Sequence, residues 1–184
     1  VMKYVRNILV LAMVFAAFSV VGANAQGHSN SKASTRTIEQ QVFKKLLGLP
    51  NYGVFDVIKY QVSGGTVTLT GKINSLGTKR DAEAAVKRIP GVTAVINNIE
   101  NLPPSSFDDA IRRQALRTFS RYNLSGYFWE VNPDVRIIVE NGRLTLEGNV
   151  MNSGDYNLFN VTANGINNVF KVTNNLVVGK PRDS

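Results

Sequence analysis

The feature that most constrains the fold of this chain is an internal repeat with an offset of 77 residues. Residues 64–71 align with residues 141–148, and residues 92–99 align with residues 169–176. Three alternating apolar residues upstream keep the same offset in the two copies: Ile58, Tyr60 and Val62, then Val135, Ile137 and Val139. Self-similarity at a fixed period indicates one folding unit that occurs twice. We therefore look for function where the two copies differ.

Each copy has the hydrophobic periodicity of an α-β-β-α-β unit. In the first copy, apolar residues at three- and four-residue spacing predict a helix that begins near Thr37. Alternating apolar residues around a turn at residues 63–65 predict a β-hairpin, and a second helix precedes a strand over residues 92–99. The second copy repeats this order from a helix that begins near Ser106. The predicted fold class is α+β, with two repeated units that each pack a small three-stranded mixed sheet against two helices.

The composition divides the chain into five segments. A short basic region precedes an apolar run, and a small-x-small pattern that ends at Ala25 predicts a signal peptide cleaved after that residue. An uncleaved anchor is the alternative, although the apolar run is shorter than the ~20 residues that span a membrane. The expected segments are a signal peptide (1–25), a flexible polar leader (26–35), the first unit (36–103), the second unit (104–178) and a tail (179–184).

The charge and residue types exclude several functional classes. No cysteine is present, so an exported chain would be stabilised by burial of apolar side chains without disulfides. The net charge is +8, and an exported basic protein would meet anionic envelope components rather than nucleic acid. The one histidine, His28, lies in the predicted leader, so no metal site or cofactor is expected. The adjacent acids Asp108 and Asp109 fit a first helical turn better than a catalytic pair. No enzymatic activity is predicted.

Several residues that the copies share are best explained by the fold. Gly71 and Gly148 end the two hairpins, and they predict a backbone conformation or close approach that a Cβ would block. An asparagine pair near the end of each third strand predicts side-chain hydrogen bonds that terminate the sheet. These are Asn97 and Asn98 in the first copy and Asn174 and Asn175 in the second.

These motifs resemble the BON domain, a bacterial module named for osmotic-stress and nodulation proteins. The resemblance rests on the hairpins that end in glycine, at residues 67–71 and 144–148, and on the Gly-Val-x-x-Val-x-Asn-Asn-Ile run at residues 91–99. It implies a non-enzymatic periplasmic protein linked to phospholipid or envelope binding, with a role in osmotic or envelope stress. Two departures are the absence of a lipidated cysteine and Asn168 in the place of Gly91.

One stretch of the second unit has the chemistry of a lipid interface. Arg113, Arg117 and Arg121 recur at i, i+4 and i+8, and Arg112 flanks them. Four aromatic residues follow: Tyr122, Tyr127, Phe128 and Trp129. Arginine can meet lipid phosphate while amphipathic rings lie among head groups. The alternative interpretation is a solvated arginine face with the aromatic rings buried between helix and sheet.

Two functions are open at this point. The first is peripheral binding to an anionic phospholipid surface through the first helix of the second unit. The second is a periplasmic protein-interaction or chaperone-like module that binds an envelope protein through strand edges or an apolar helix surface. That surface includes Leu158 and Val161, which we otherwise expect to pack on the first unit as the two small units share apolar surface.

Overall fold

The structure, a computed structural model, describes residues 26–128 and 132–179, with the backbone alone for residues 26–34. The predicted signal peptide lies outside the described residues, as does the predicted tail beyond Gly179. The first unit comprises α1 (Gln26–Leu47), β1 (Val57–Ser63), β2 (Thr66–Ile73), α2 (Thr78–Lys87) and β3 (Ala94–Asn101). The second comprises α3 (Ser106–Arg121), a 3-10 turn (Ser125–Tyr127), β4 (Val135–Glu140), β5 (Arg143–Val150), α4 (Ser153–Asn164) and β6 (Lys171–Val178).

The two sheets have the same topology, which confirms the predicted α+β fold. In the first sheet β2 lies between β1 and β3, antiparallel to β1 and parallel to β3. In the second sheet β5 lies between β4 and β6 with the same directions. The β-hairpin supplies the antiparallel pair, and the helix that follows it is the crossover needed for the parallel pair. The 77-residue repeat is therefore a repeat of structure.

Helix α1 begins earlier than the sequence predicts. Its backbone is helical from Gln26, through residues 26–35 that the polar composition assigns to a flexible leader. Helix formation is cooperative, since the first turn is the unfavourable step. Packing from Ile38 onward stabilises that turn, and each residue added before it then contributes a backbone hydrogen bond without a new nucleation cost. Ile38, Val42 and Leu46 are buried and form the apolar stripe that holds this helix on its sheet.

Each unit has its own hydrophobic core between the sheet and its two helices. In the first unit, buried residues of β2, such as Val67 and Leu69, face Ala82 and Val86 of α2. In the second unit, Leu144 and Leu146 occupy the equivalent strand positions. The second core also holds the large helical side chains of Phe119 and Phe159, whose ring centroids are 5.0 Å apart.

Gly71 and Gly148 have the structural role that the repeat predicts. Their φ angles are 132° and 128°, a region that side chains with a Cβ rarely adopt. A Cβ on Gly71 would clash with the carbonyl oxygen of Val57 on the neighbouring strand, and one on Gly148 would clash with that of Asp134. The turn before the last strand is also preserved, because Asn168 has a φ of 67° where Gly91 has 89°.

The two units contact each other through β4, whose two faces are both buried. Arg136 and Ile138 lie on the face opposite the second core and are only 1% and 5% exposed. The segment between α1 and β1 covers this strand, and the Ile137 N–H donates to the carbonyl oxygen of Val54 over 2.8 Å. The expectation of shared apolar surface is met, since Val54 and Phe55 pack against the core of the second unit.

The prediction that α4 forms the contact with the first unit is wrong. Val161 is 70% exposed, and Leu158 packs against the core of its own unit. The helical periodicity correctly identified apolar positions on α4, but it could not say that the partly apolar outer face of β4 offers a better surface. Alternating apolar residues predict that a strand buries only one face. In β4 the apolar Ile138 lies on the other face, between Ile137 and Val139 in sequence, so this strand can bury both faces.

Candidate functional site

Helix α3 is fixed at its N-terminus by two side chains that also orient its exposed face. The Ser105 hydroxyl caps the helix by accepting the Asp108 N–H over 3.1 Å, one position before the predicted Ser106. The buried Asp108 carboxylate accepts the backbone N–H groups of Asn141 at 2.9 Å and Gly142 at 2.8 Å. Asp108 thus joins the helix to the hairpin turn of its own sheet, which supports the structural interpretation of this acid.

The arginine residues of α3 separate into one buried and three exposed side chains. Arg113, Arg117 and Arg121 are exposed, and none has an acidic partner within the part of the chain that the structure describes. Arg112 is 1% exposed; its guanidinium donates to Asp109 at 2.6 Å and to the carbonyl oxygen of Val139. We name the exposed side chains of Arg113, Arg117 and Arg121 the arginine face. Arg112 does not belong to it, because its guanidinium is buried and makes hydrogen bonds within the second unit.

Two of the four aromatic residues after α3, Tyr127 and Phe128, belong to the core, as the alternative interpretation predicts. Tyr127 is only 9% exposed, and its hydroxyl donates to Asp155 at 2.5 Å and accepts the Met151 N–H at 3.0 Å. Phe128 is partly buried and packs against the rings of Phe119 and Phe159. Tyr122 is 56% exposed at the C-terminus of α3, beside the arginine face. Trp129 lies outside the described residues.

The environment of Tyr127 favours its protonated form. Burial raises the pKa of the Tyr127 hydroxyl, and the hydrogen bond to the Asp155 carboxylate raises this pKa further because the neutral phenol is the donor. Helices α1 and α3 align at an offset of 73 residues, with Ile38 on Ile111, so the second unit has four extra residues between its first helix and first strand. Tyr127 lies in this longer segment, which closes one end of the second core.

The prediction that the asparagine pairs terminate the sheets is wrong, because β3 continues to Asn101 and β6 to Val178. The two copies also use the pairs differently. Asn97 donates to the carbonyl oxygen of Lys79 at 2.9 Å and to the Glu83 carboxylate at 3.0 Å, which ties β3 to α2. The equivalent Asn174 has a buried Nδ2 without an acceptor within the described residues. Asn175 instead donates to Glu147 on β5 at 2.9 Å.

Two side chains that sequence reasoning missed organise the first unit and its contact with the second. The buried Asp56 carboxylate accepts the N–H groups of Asn74 at 2.6 Å and Ser75 at 3.2 Å. The buried Arg136 guanidinium donates to the carbonyl oxygens of Gly53 at 2.7 Å and Asp56 at 3.0 Å. It also lies 4.2 Å from the centroid of the Tyr52 ring. Alternation in β4 assigns Arg136 to the solvent face, and the apolar Ile138 on that same face is the sequence signal that could have shown that the face is covered.

A small crevice of about 180 Å³ lies beside this contact. Its lining has an ion pair between Lys59 and Glu147, with Nζ and Oε2 2.9 Å apart, and no nucleophile oriented by a base. The remaining lining residues are Tyr52, Val57, Ile58, Arg136 and Gly148. Within residues 26–128 and 132–179, no cluster of three or more histidine, cysteine or acidic side chains could hold a metal ion. The crevice has neither the volume of a typical ligand pocket nor a catalytic arrangement.

The helices that the structure describes include none that is long and apolar enough to span a membrane. The apolar face of α3, with Ile111, Ala115 and Phe119, lies in the core of its own unit, so it is the arginine face that this helix presents to solvent.

Comparison with known proteins gives one family match. The family model described as the BON domain matches residues 34–103 and 108–180, which correspond to the two structural units. Two solved chains of CdsD, a structural protein of the type III secretion system of Chlamydia trachomatis, are similar at 10% identity. One has a TM-score of 0.31 and covers 78% of this chain and 94% of that chain. The other, a C-terminal domain, has a TM-score of 0.32 and covers 77% and 96%. No curated protein matches the chain.

Proposed function

This chain belongs to the BON-domain family, and on that premise we propose that it is a non-enzymatic periplasmic protein that binds an anionic phospholipid surface. BON domains are typical of periplasmic or envelope-associated proteins and are generally non-enzymatic. The association of the family with osmotic and envelope stress adds such a role to the proposal. The arginine face of α3 is the binding surface, and Tyr122 lies at its C-terminal end.

The observation that carries this proposal is the arginine face itself. Three exposed cations lie on one side of a helix without an acidic partner in the described part of the chain. The first unit has no such face, since at the helix offset of 73 residues its equivalents are Gln40, Lys44 and Gly48. A surface cation contributes about 1 kcal/mol on an anionic leaflet, so three cations support reversible, peripheral docking.

Vesicle co-sedimentation with a matched charge-reversal control tests this function. We expect the purified protein to bind vesicles of phosphatidylcholine that contain phosphatidylglycerol, and to bind less as salt screens the arginine charges. Arg113→Glu/Arg117→Glu should abolish binding, because it reverses two of the three cations. Lys44→Glu/Lys45→Glu makes the same change in net charge on exposed positions of α1 and should retain most of the binding. Equal losses in the two variants would show that net charge, rather than this face, determines binding.

A second candidate function is supported by a different observation. The strands β3 and β6 are end strands of their sheets in the described structure, and Val177 and Val178 of β6 are 60% and 49% exposed. An end strand with exposed apolar side chains can receive an extended segment of an envelope protein. A protein complex that survives salt concentrations at which vesicles release the chain, and that Val177→Lys disrupts, would favour this function.

A further inference from the structure

The exposed surface of the second unit includes a stacked pair of phenylalanine rings. Phe107 at the start of α3 and Phe170 just before β6 have ring centroids 5.9 Å apart and planes inclined by 23°. They remain 43% and 76% exposed. Single exposed apolar side chains are ordinary, but two adjacent aromatic rings form a continuous apolar surface that favours a partner.

The local backbone holds this pair in place. The Phe170 N–H donates to the carbonyl oxygen of Gly142 at 2.9 Å, while the Asp108 carboxylate accepts the Gly142 N–H from the other side. Gly142 has a φ of 71°, and a Cβ there would lie 2.6 Å from Cδ2 of Phe170 and 3.2 Å from Cε1 of Phe107. The glycine therefore makes the space over which the two rings stack. The pair is preorganised, which lowers the entropic cost of binding.

Two cations lie at the same end of the sheet. Arg143 on β5 and Lys171 on β6 are partners in the parallel register, and both are exposed. Neither has an acidic partner among residues 26–128 and 132–179. We name Phe107, Phe170, Arg143 and Lys171 the aromatic tip. An apolar centre with unpaired positive charge beside it is complementary to an anionic, amphipathic surface.

All four residues of the aromatic tip differ from their equivalents in the first unit. At the offset of 77 residues, Phe170, Arg143 and Lys171 replace Thr93, Thr66 and Ala94, and at the helix offset Phe107 replaces Ser34. The fold therefore does not require them, since the first unit forms the same hairpin and strand without them. Divergence of four neighbouring positions toward aromatic and basic residues indicates a binding role.

The aromatic tip lies at the N-terminal end of α3, and the arginine face extends along the same helix to Arg121. Phe107, Gln114 and Arg121 follow one another at seven-residue spacing, which places them along one side of α3. Phe107 lies about 80° around the helix axis from Arg117, the middle residue of the arginine face, so it lies beside that face and not within it.

We propose that the aromatic tip inserts into the head-group region of the anionic phospholipid surface on which the arginine face docks. This inference rests on the proposed function and names its apolar anchor. Phe107 and Phe170 enter the boundary between head groups and acyl chains, while Arg143 and Lys171 contact phosphate groups around them. The arginine face supplies salt-sensitive attraction, and the tip supplies attraction that salt does not screen.

Vesicle binding of Phe107→Ser/Phe170→Thr tests the anchor with residues that the first unit already carries. We expect its affinity for vesicles with phosphatidylglycerol to fall about 10-fold or more, because the buried apolar area of two rings is lost. Val161→Thr, which alters an equally exposed apolar residue on α4, should bind like the parent protein. Thermal unfolding of both variants confirms that they fold. Unchanged affinity of the double variant would overturn the proposal.

A fluorescence measurement locates the tip independently of affinity. In Phe170→Trp, the added tryptophan emission should be quenched by vesicles with brominated acyl chains, relative to the parent protein under the same conditions. Absence of added quenching in the vesicle-bound protein would overturn insertion.

The outcomes separate the anchor from the proposed function. If Arg113→Glu/Arg117→Glu loses binding while Phe107→Ser/Phe170→Thr keeps it, the aromatic tip is overturned and the arginine face stands. If the parent protein binds no anionic vesicle at any salt concentration, both proposals fail. If the tip variant loses a defined protein partner but keeps its vesicle affinity, the tip is a protein-binding surface and the lipid anchor is overturned.

Discussion

Tyr127 is a residue type typical of lipid interfaces, but in this structure it belongs to the core of the second unit. Its ring contacts Phe159 edge-on, with centroids 5.4 Å apart, while its hydroxyl joins Asp155 of α4 to the backbone of Met151. Both polar contacts are made within the second unit. The insertion between α3 and β4 thus gave this unit a larger core, and the exposed site must be sought elsewhere.

The protonation of Tyr127 predicts an alkaline pH dependence of stability. Because burial and the Asp155 hydrogen bond raise its pKa, the stabilisation is complete below the unfolded-state pKa of about 10 and is lost as pH rises through the folded-state pKa. Urea unfolding should show that Tyr127→Phe costs about 1 kcal/mol at neutral pH. This difference should shrink above about pH 10, where ionisation of the phenol favours the unfolded parent protein. A difference that is independent of pH would contradict this account of the tyrosine.

At the scale of elements, a side-chain hydrogen bond joins the second helix to the third strand in the first unit, and its equivalent is missing in the second unit. Asn97 reaches the Glu83 carboxylate, whereas Asn160 occupies the position equivalent to Glu83 and leaves the Asn174 amide without an acceptor in the described structure. A buried donor without a partner lowers stability, because its hydrogen bond to water is lost on folding.

Asn160→Glu should restore the link between α4 and β6. We expect the free energy of unfolding to rise by about 1 kcal/mol, the typical net contribution of one hydrogen bond. Asn157→Glu adds the same charge at an exposed position of α4 and should change stability by less than about 0.5 kcal/mol. Equal effects of the two substitutions in urea unfolding would show that the helix responds to charge and not to the missing acceptor.

At the scale of the whole molecule, the contact between the two units depends on a buried guanidinium. Arg136 is 1% exposed and its donors reach two carbonyl oxygens of the first unit, so its removal leaves buried acceptors without their donor. The ion pairs near this contact are more exposed, including Lys59 with Glu147 and Lys72 with Glu140. Exposed pairs contribute little, and the buried arginine is therefore expected to dominate.

Arg136→Ala should uncouple the two units. We expect a loss of about 3 kcal/mol or more and a broadened or two-step urea transition, since each unit keeps its own core. Lys59→Ala removes a charge whose side chain is 60% exposed and should cost less than about 1 kcal/mol with one transition. A single cooperative transition of Arg136→Ala at the parent midpoint would contradict the role of this residue.

The repeat was sufficient to predict the order of elements, the hairpins and the role of Gly71 and Gly148, because these follow from local periodicity and backbone sterics. It could not predict the contact between units, which depends on how Arg136 meets carbonyl groups far away in sequence. The arginine face was predicted by spacing along one helix. The partial burial of Phe128 was one of two alternatives that the sequence left open. The stacking of Phe107 on Phe170 was not predicted, because this contact joins different elements.

The most direct test of surface docking uses the absence of cysteine from the chain. A single cysteine introduced as Ala110→Cys lies exposed about one turn before Arg113 on the same side of α3, and Gln40→Cys lies exposed on α1 of the first unit. Each carries an environment-sensitive fluorophore, and its emission is measured with vesicles of phosphatidylcholine that contain phosphatidylglycerol. The account predicts a blue shift for the label at position 110 and none at position 40. A blue shift at position 40 alone, or none at either position while the protein co-sediments with the vesicles, would contradict docking through the arginine face.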